Sequence, residues 1–231
     1  MAWLEPVTLE GEHAALEPLV AGHEAELAAA CADGRLWELW YTTVPRPEAM
    51  GAEIARRLAL QQAGTMLPFT VRHRASGRIV GMTTYMHADA ANRRVEIGST
   101  WYAASVQRTA LNTECKAMLL RHAFEQLHCI AVEFRTHFMN QQSRQAIERL
   151  GARLDGVLRS HMRMPNGTLR DTAVYSITAA EWPAVRANLH WMLRPPRDRA
   201  VYRSAAAEWR AGRANLDWML RRPRASAPAP L

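Results

Sequence analysis

No stretch of this sequence comes near the roughly 18 consecutive apolar residues that a membrane-spanning helix requires, although 48% of its residues are hydrophobic. That apolar content is therefore available to a core, and 231 residues suffice for one substantial core. A secretory leader is not expected, since MAWLEPVTLEGEH carries acids where a leader has basic residues and then an apolar run. Cysteine is scarce. Cys31, Cys115 and Cys129 are odd in number and fall in helix-like or strand-like segments, so reduced core thiols in a cytoplasm are expected. The nine histidines show no metal spacing with one another or with cysteine, and no metal site is predicted. Glycine is missing where it would be most useful. VQRTALNTECKAMLLRHAF, residues 106–124, reads as a loop feeding a helix whose start is suited to an anion, yet the loop has no glycine to let the backbone approach one.

Positive charge is present in excess but confined. Of the net charge of +7, six charges come from Glu181–Leu231, where ten arginines face four acids. The first 180 residues are nearly neutral, so the globular body is not expected to bind nucleic acid. The tail also repeats itself. EWPAVRANLHWMLRPPR (181–197) recurs as EWRAGRANLDWMLRRPR (208–224), with four differences in seventeen positions. Two units are too few for a solenoid, and a duplicated terminal helix is the simpler expectation. The division predicted is a body of residues 1–195 and a basic extension of 196–231, whose second helix is dispensable for folding and catalysis.

The body alternates elements. A strand or two near the start precede helices over 23–32 and 47–62. Residues 68–87 form a hairpin turning at Ser76-Gly77, and 93–102 a further strand. After the glycine-free loop come a helix, a strand over 129–138, and a helix closed by Gly151. A second hairpin turns at Asn166-Gly167. The whole is an α+β chain in α/β/α layers, with a mostly antiparallel sheet of about seven strands and a central β-α-β-α unit.

Four motifs in order, IVGMTTY, VEIGSTWY, QRTALNTE and Asn140-x-x-Ser143, resemble the Gcn5-related N-acetyltransferase family, and specifically its branch of ribosomal-protein alanine acetyltransferases. The resemblance covers residues 68–179 and extends to the first repeat helix. It implies acetyl-CoA as co-substrate and direct transfer of acetyl to a primary amine. The family's loop reads Gln/Arg-x-x-Gly-x-Gly/Ala. Gln107 fits its first position, while Ala110 and Asn112 occupy the two small-residue positions, so both expected glycines are absent. Helix-terminal amides, the loop Gln107, Arg108, Thr109, Ala110, Leu111 and Asn112, and the Arg108 guanidinium are then expected to hold the pyrophosphate.

The same resemblance assigns backbone N–H groups of Thr100, Trp101 and Tyr102 to the oxyanion and pantetheine, Asn140 to the pantetheine arm, and Ser143 to the leaving thiolate. Glu96 is the candidate base, placed with Gly98 and Thr100 on one strand face by period two. It reads equally well as a structural carboxylate paired with Arg93 or Arg94. Asn140 is also a good N-cap for the following helix. On the acceptor side, Trp37, Glu38, Trp40 and Tyr41 supply aromatic walls and a carboxylate for a cationic amine, with Tyr85 as a weaker candidate. A homodimer with no membrane partner is expected. The competing reading is a catalytically silent coenzyme-binding or interaction module that uses its basic tail.

Overall fold

The computed structural model describes residues 3–195. The chain divides into a compact unit, Met1–Met192, and a second unit, Leu193–Leu231. The second copy of the tail repeat, 208–224, lies outside the described residues.

In chain order the elements are β1 (Leu9–Glu10), β2 (Ala14–Pro18), α1 (Glu24–Ala32), α2 (Met50–Gln62), β3 (Met66–His73), β4 (Ile79–Asp89) and β5 (Arg94–Tyr102). They continue with α3 (Leu111–Arg121), β6 (Ala131–His137), α4 (Gln141–Leu150), β7 (Arg153–Arg163), β8 (Leu169–Thr178) and α5 (Trp182–Leu193). The expected hairpins and helices appear with boundaries shifted by a few residues. The sheet has eight strands in the order β1-β2-β3-β4-β5-β6-β8-β7, one more than about seven because the two-residue β1 joins its edge. Every neighbour pair is antiparallel except β5–β6. A parallel pair needs a crossover, and α3 supplies it.

Local signals explain the helix limits. Asn140 Oδ1 accepts from the Ser143 N–H at 3.0 Å and caps α4, while Gly151 ends it at φ 105°. Such a left-handed C-terminal residue satisfies the last carbonyls at no steric cost to glycine. α3 passes into one π-helical turn, His122–Gln126. The core runs between the sheet and its helices. It holds Leu16, Phe69, Tyr85 and Leu119, all fully buried, and α5 adds Trp182, whose ring stacks on Phe124 at 5.2 Å. No helix among the described residues is long and apolar enough to cross a membrane.

Candidate active site

β5 and β6 share a ladder only at Arg94–Ala131, Val95–Val132 and Glu96–Glu133. Beyond Glu96, β6 stays paired with β8 through His137, and β5 stays paired with β4 through Tyr102. The two strands therefore diverge. The gap opens into a cleft of about 480 Å³, closed by the starts of α3 and α4 and by the segment from Leu36 to Val44. Its size suits a small-molecule site.

A bulge shapes one wall. Met82 pairs with Trp101 and Thr84 with Gly98, so Ser99 and Thr100 together face Thr83. Ser99 sits at φ +48°, which lets one strand carry the extra residue. This breaks the period-two expectation that Thr100 shares the Glu96 face. Ser99 takes the α2 side, where Arg57 Nη2 donates to its Oγ at 2.7 Å and Arg57 Nη1 donates to Thr84 Oγ1 at 2.6 Å. Thr100 turns to the α3 side, where Lys116 Nζ donates to its Oγ1 at 2.7 Å and to Thr83 Oγ1 at 3.2 Å. Two buried cations thus grip adjacent residues of the bulge from opposite faces of the sheet. Arg57 is 1% exposed and balanced by Glu53, 2.7 Å away. Lys116, the only lysine in the sequence, has no carboxylate within ion-pair distance among the described residues. Burial pushes its pKa down to about 8.

The glycine-free loop solves its problem at Arg108. This residue adopts the left-handed conformation, at φ +60°, while Ala110 is ordinary right-handed at φ −67°. The arginine therefore performs the turn that glycine would make and presents its exposed side chain at the cleft mouth. Behind it, Thr109 donates to the Val106 carbonyl at 2.7 Å and accepts from the Leu111 amide at 3.3 Å. The Asn112 and Thr113 amides have no hydrogen-bond partner among the described residues, leaving a helix start able to receive an anion. Gln107 and Asn112 also line the cleft, but the Gln107 side chain folds back to donate to the Tyr102 carbonyl at 2.9 Å. Trp101 and Tyr102 line the strand wall, and the buried Trp101 Nε1 and Tyr102 hydroxyl have no protein partner.

At the opposite end Glu96 is 6% exposed. Its Oε2 accepts from His87 Nδ1 at 2.8 Å and lies 3.5 Å from Arg135 Nε. The anticipated partners differ. Arg94 bonds Glu133 instead, which lies two residues along β6 from its ladder partner Ala131. The Glu96 carboxylate in turn raises the pKa of the exposed His87 through their hydrogen bond. On α4, the Ser143 hydroxyl and the Asn140 amide nitrogen have no partner among the described residues and face the cleft.

Of the expected acceptor residues only Tyr41 lines the cleft. Trp37 packs against the core, Glu38 pairs with Arg35, and the half-exposed Trp40 sets its ring edge on His137 at 5.0 Å. Tyr85 lies in the core, its hydroxyl donating to the Leu119 carbonyl at 2.5 Å. It sits behind α3 because period two on β4 turns it inward. Leu36, Leu39 and Val44 of the same segment form the wall instead. Sequence reasoning missed Lys116, Arg135, His137 and Arg170. Only Lys116 had a signal, as the one lysine of the sequence, set one turn before Leu119 and Leu120.

Comparison with known proteins agrees with this architecture. Residues 14–153 match the model of the acetyltransferase (GNAT) domain. The chain is 31% identical over 106 residues to the Bacillus subtilis (strain 168) protein named "Putative ribosomal N-acetyltransferase YdaF", a match spanning 46% of this chain and 57% of that relative. A GCN5-related N-acetyltransferase from Brucella melitensis superposes with TM-score 0.75 at 32% identity, covering 84% of this chain and 88% of its own. Mycobacterium smegmatis RimJ in complex with CoA-disulfide gives TM-score 0.68 at 25% identity, covering 80% and 93%.

Proposed function

The chain belongs to the Gcn5-related N-acetyltransferase family, and from that premise we propose that its cleft passes acetyl from acetyl-CoA directly to the primary amine of a small molecule or a peptide N-terminus. The observation that carries this reading is the divergence of β5 from β6 after Glu96. It places helix-start amides at one end of a single cleft and a buried carboxylate at the other.

Acetyl-CoA supplies the thioester whose carbonyl carbon the amine attacks. The chain's residues do the rest. The Asn112 and Thr113 amides and the Arg108 guanidinium hold the pyrophosphate, the latter as a charge-assisted donor. Asn140 Nδ2 and the strand wall of Thr100, Trp101 and Tyr102 orient the pantetheine arm. The β5 edge beyond Glu96 has no ladder partner in β6, so its amides can meet the charge that develops on the thioester oxygen. Arg57 and Lys116 keep those amides aimed by gripping the bulge, and Lys116 adds a positive charge beside them. Glu96 accepts the proton that the amine must lose, and the hydrogen bond from exposed His87 to its Oε2 holds the carboxylate in place. The Ser143 hydroxyl donates to the departing thiolate. The relative named a putative ribosomal N-acetyltransferase supports a protein amine as one acceptor class.

Thiol release from acetyl-CoA against a panel of amines and peptides tests this. Glu96→Gln is expected to lower turnover about 100-fold or more near neutral pH with acetyl-CoA affinity intact. Parallel losses of melting temperature and activity would make Glu96 a structural carboxylate instead.

A further inference from the structure

The wall facing Glu96 is built by β6 and β8, and it holds two donors with nothing to bind. His137 is 4% exposed. Its Nδ1 accepts from the Met139 amide at 3.1 Å, so the ring proton is on Nε2. That Nε2 is buried, lines the cleft and has no partner. An orphaned buried donor carries an uncompensated desolvation cost. Burial, and then the neighbouring Arg170 cation, lower the His137 pKa, which keeps the ring a neutral donor at Nε2. The Trp40 ring packs edge-on against it at 5.0 Å.

Arg170 stands on the same face. His137 pairs with Thr172 across β6–β8, and Arg170 lies two residues from Thr172 along β8, which returns its side chain to that face. Its Nε donates to Thr172 Oγ1 at 2.9 Å. Its two terminal amino groups have no hydrogen bond, and the residue no ion pair, among the described residues. The nearby carboxylates are already taken. Glu133 is bound by Arg94 and Arg135, Asp171 by Arg159 and the Ser160 amide, and Glu96 by His87 and Arg135. Of the charged residues lining the cleft, Arg108, Lys116, Arg135 and Arg170 oppose Glu96 alone. Arg108 and Lys116 serve the coenzyme end and Arg135 braces the two glutamates, which leaves Arg170 with its fork unused.

We infer that the acceptor amine carries an anionic group, a carboxylate or a phosphate, held by the Arg170 fork and the Nε2–H of His137 while its amine faces Glu96. This rests on the acetyl-transfer reading of the cleft and narrows it to acidic amines such as amino acids or phosphate esters of amino alcohols. A guanidinium fork suits either anion, and a neutral hydrogen-bond donor beside it adds no competing negative charge.

The test uses matched pairs: glycine against glycinamide and phosphoethanolamine against ethanolamine for turnover, with N-acetylglycine against N-acetylglycinamide for calorimetric binding to the coenzyme-A-loaded protein. The acidic member of at least one turnover pair is expected to have kcat/KM about 10-fold or more above its neutral partner, and N-acetylglycine to bind about 10-fold more tightly than its amide. Arg170→Met is expected to bring these ratios close to 1, and His137→Phe to reduce them in part. Preference in the phosphate pair alone identifies a phosphate ester and preference in the carboxylate pair an amino acid. Neutral amines turned over as well as acidic ones would overturn the inference and leave the acetyltransferase standing. Binding of N-acetylglycine that Arg170→Met does not weaken would also overturn it. Selective binding of the acid with no thiol release from any amine would uphold the anion site and sink the catalytic reading.

Discussion

Replacing Lys116 with methionine is expected to make the protein more stable and less active. The ammonium is buried against Thr83 and Thr100 with no carboxylate partner, and burial lowers its pKa from the ordinary 10.5 to about 8. At about 1.4 kcal/mol per tenfold change in proton affinity, holding the charge in the folded state costs about 3 kcal/mol. Methionine has similar length and no charge. Its introduction strands neither threonine, because Thr83 Oγ1 and Thr100 Oγ1 already bond one another at 2.8 Å. Lys116→Met should therefore stabilise the fold at pH 7 by about 1–3 kcal/mol, the upper end being the full charge cost and the lower end allowing for lost donors. The pH dependence follows in sign. Below pH 8 both folded and unfolded chains are protonated and the wild type bears the whole cost. Between about 8 and 10.5 the folded chain releases its proton first, so wild-type stability rises with pH and its deficit against the variant shrinks. Urea unfolding of both proteins at pH 7 and pH 10 measures that difference directly. Turnover at pH 7 should fall about 10-fold or more in the variant, because the charge beside the bulge is gone. A variant less stable than wild type at both pH values, or a stability difference that does not change with pH, would refute the account of a buried, unpaired ammonium. Full turnover in a well-folded variant would remove Lys116 from the reaction.

Two further outcomes are expected. Arg108→Ala should weaken acetyl-CoA binding by about 1–3 kcal/mol, whereas Arg108→Gly should lose the same contact but recover about 1 kcal/mol of stability from relief of the left-handed conformation, so calorimetry and thermal melts on the pair separate ligand contact from backbone strain. Glu114→Ala should destabilise the fold by about 3–5 kcal/mol in thermal denaturation. Its carboxylate accepts the amides of Glu12, His13 and Ala14 at 2.7, 2.7 and 2.8 Å and packs where a Cβ on Gly11 would fall 2.5 Å away. A loss under about 1 kcal/mol would show that water replaces it.

The punctuation of the fold was legible in the residues themselves because it depends on neighbours a few positions apart. Ser76-Gly77 and Asn166-Gly167 turn hairpins, Asn140 and Gly151 bound α4, and the strand–loop–helix–strand run sets the parallel pair, all by local backbone preferences. The loop and helix start of the candidate site were legible for the same reason, since unpaired amides at a helix start favour an anion. What only the tertiary structure decided depends on partners distant in sequence. The bulge at Ser99 has no glycine at its left-handed residue to announce it, yet it sends Ser99 to Arg57 and Thr100 to Lys116, from 42 and 16 residues away. The partners of Glu96 were set by register, since the short β5–β6 ladder brings Arg94 within reach of Glu133 and leaves Glu96 to His87 and Arg135. Arg170 and His137 meet only because β8 lies antiparallel to β6. Periodicity tells which face of its own strand a side chain occupies, but strand pairing decides which charges share that face.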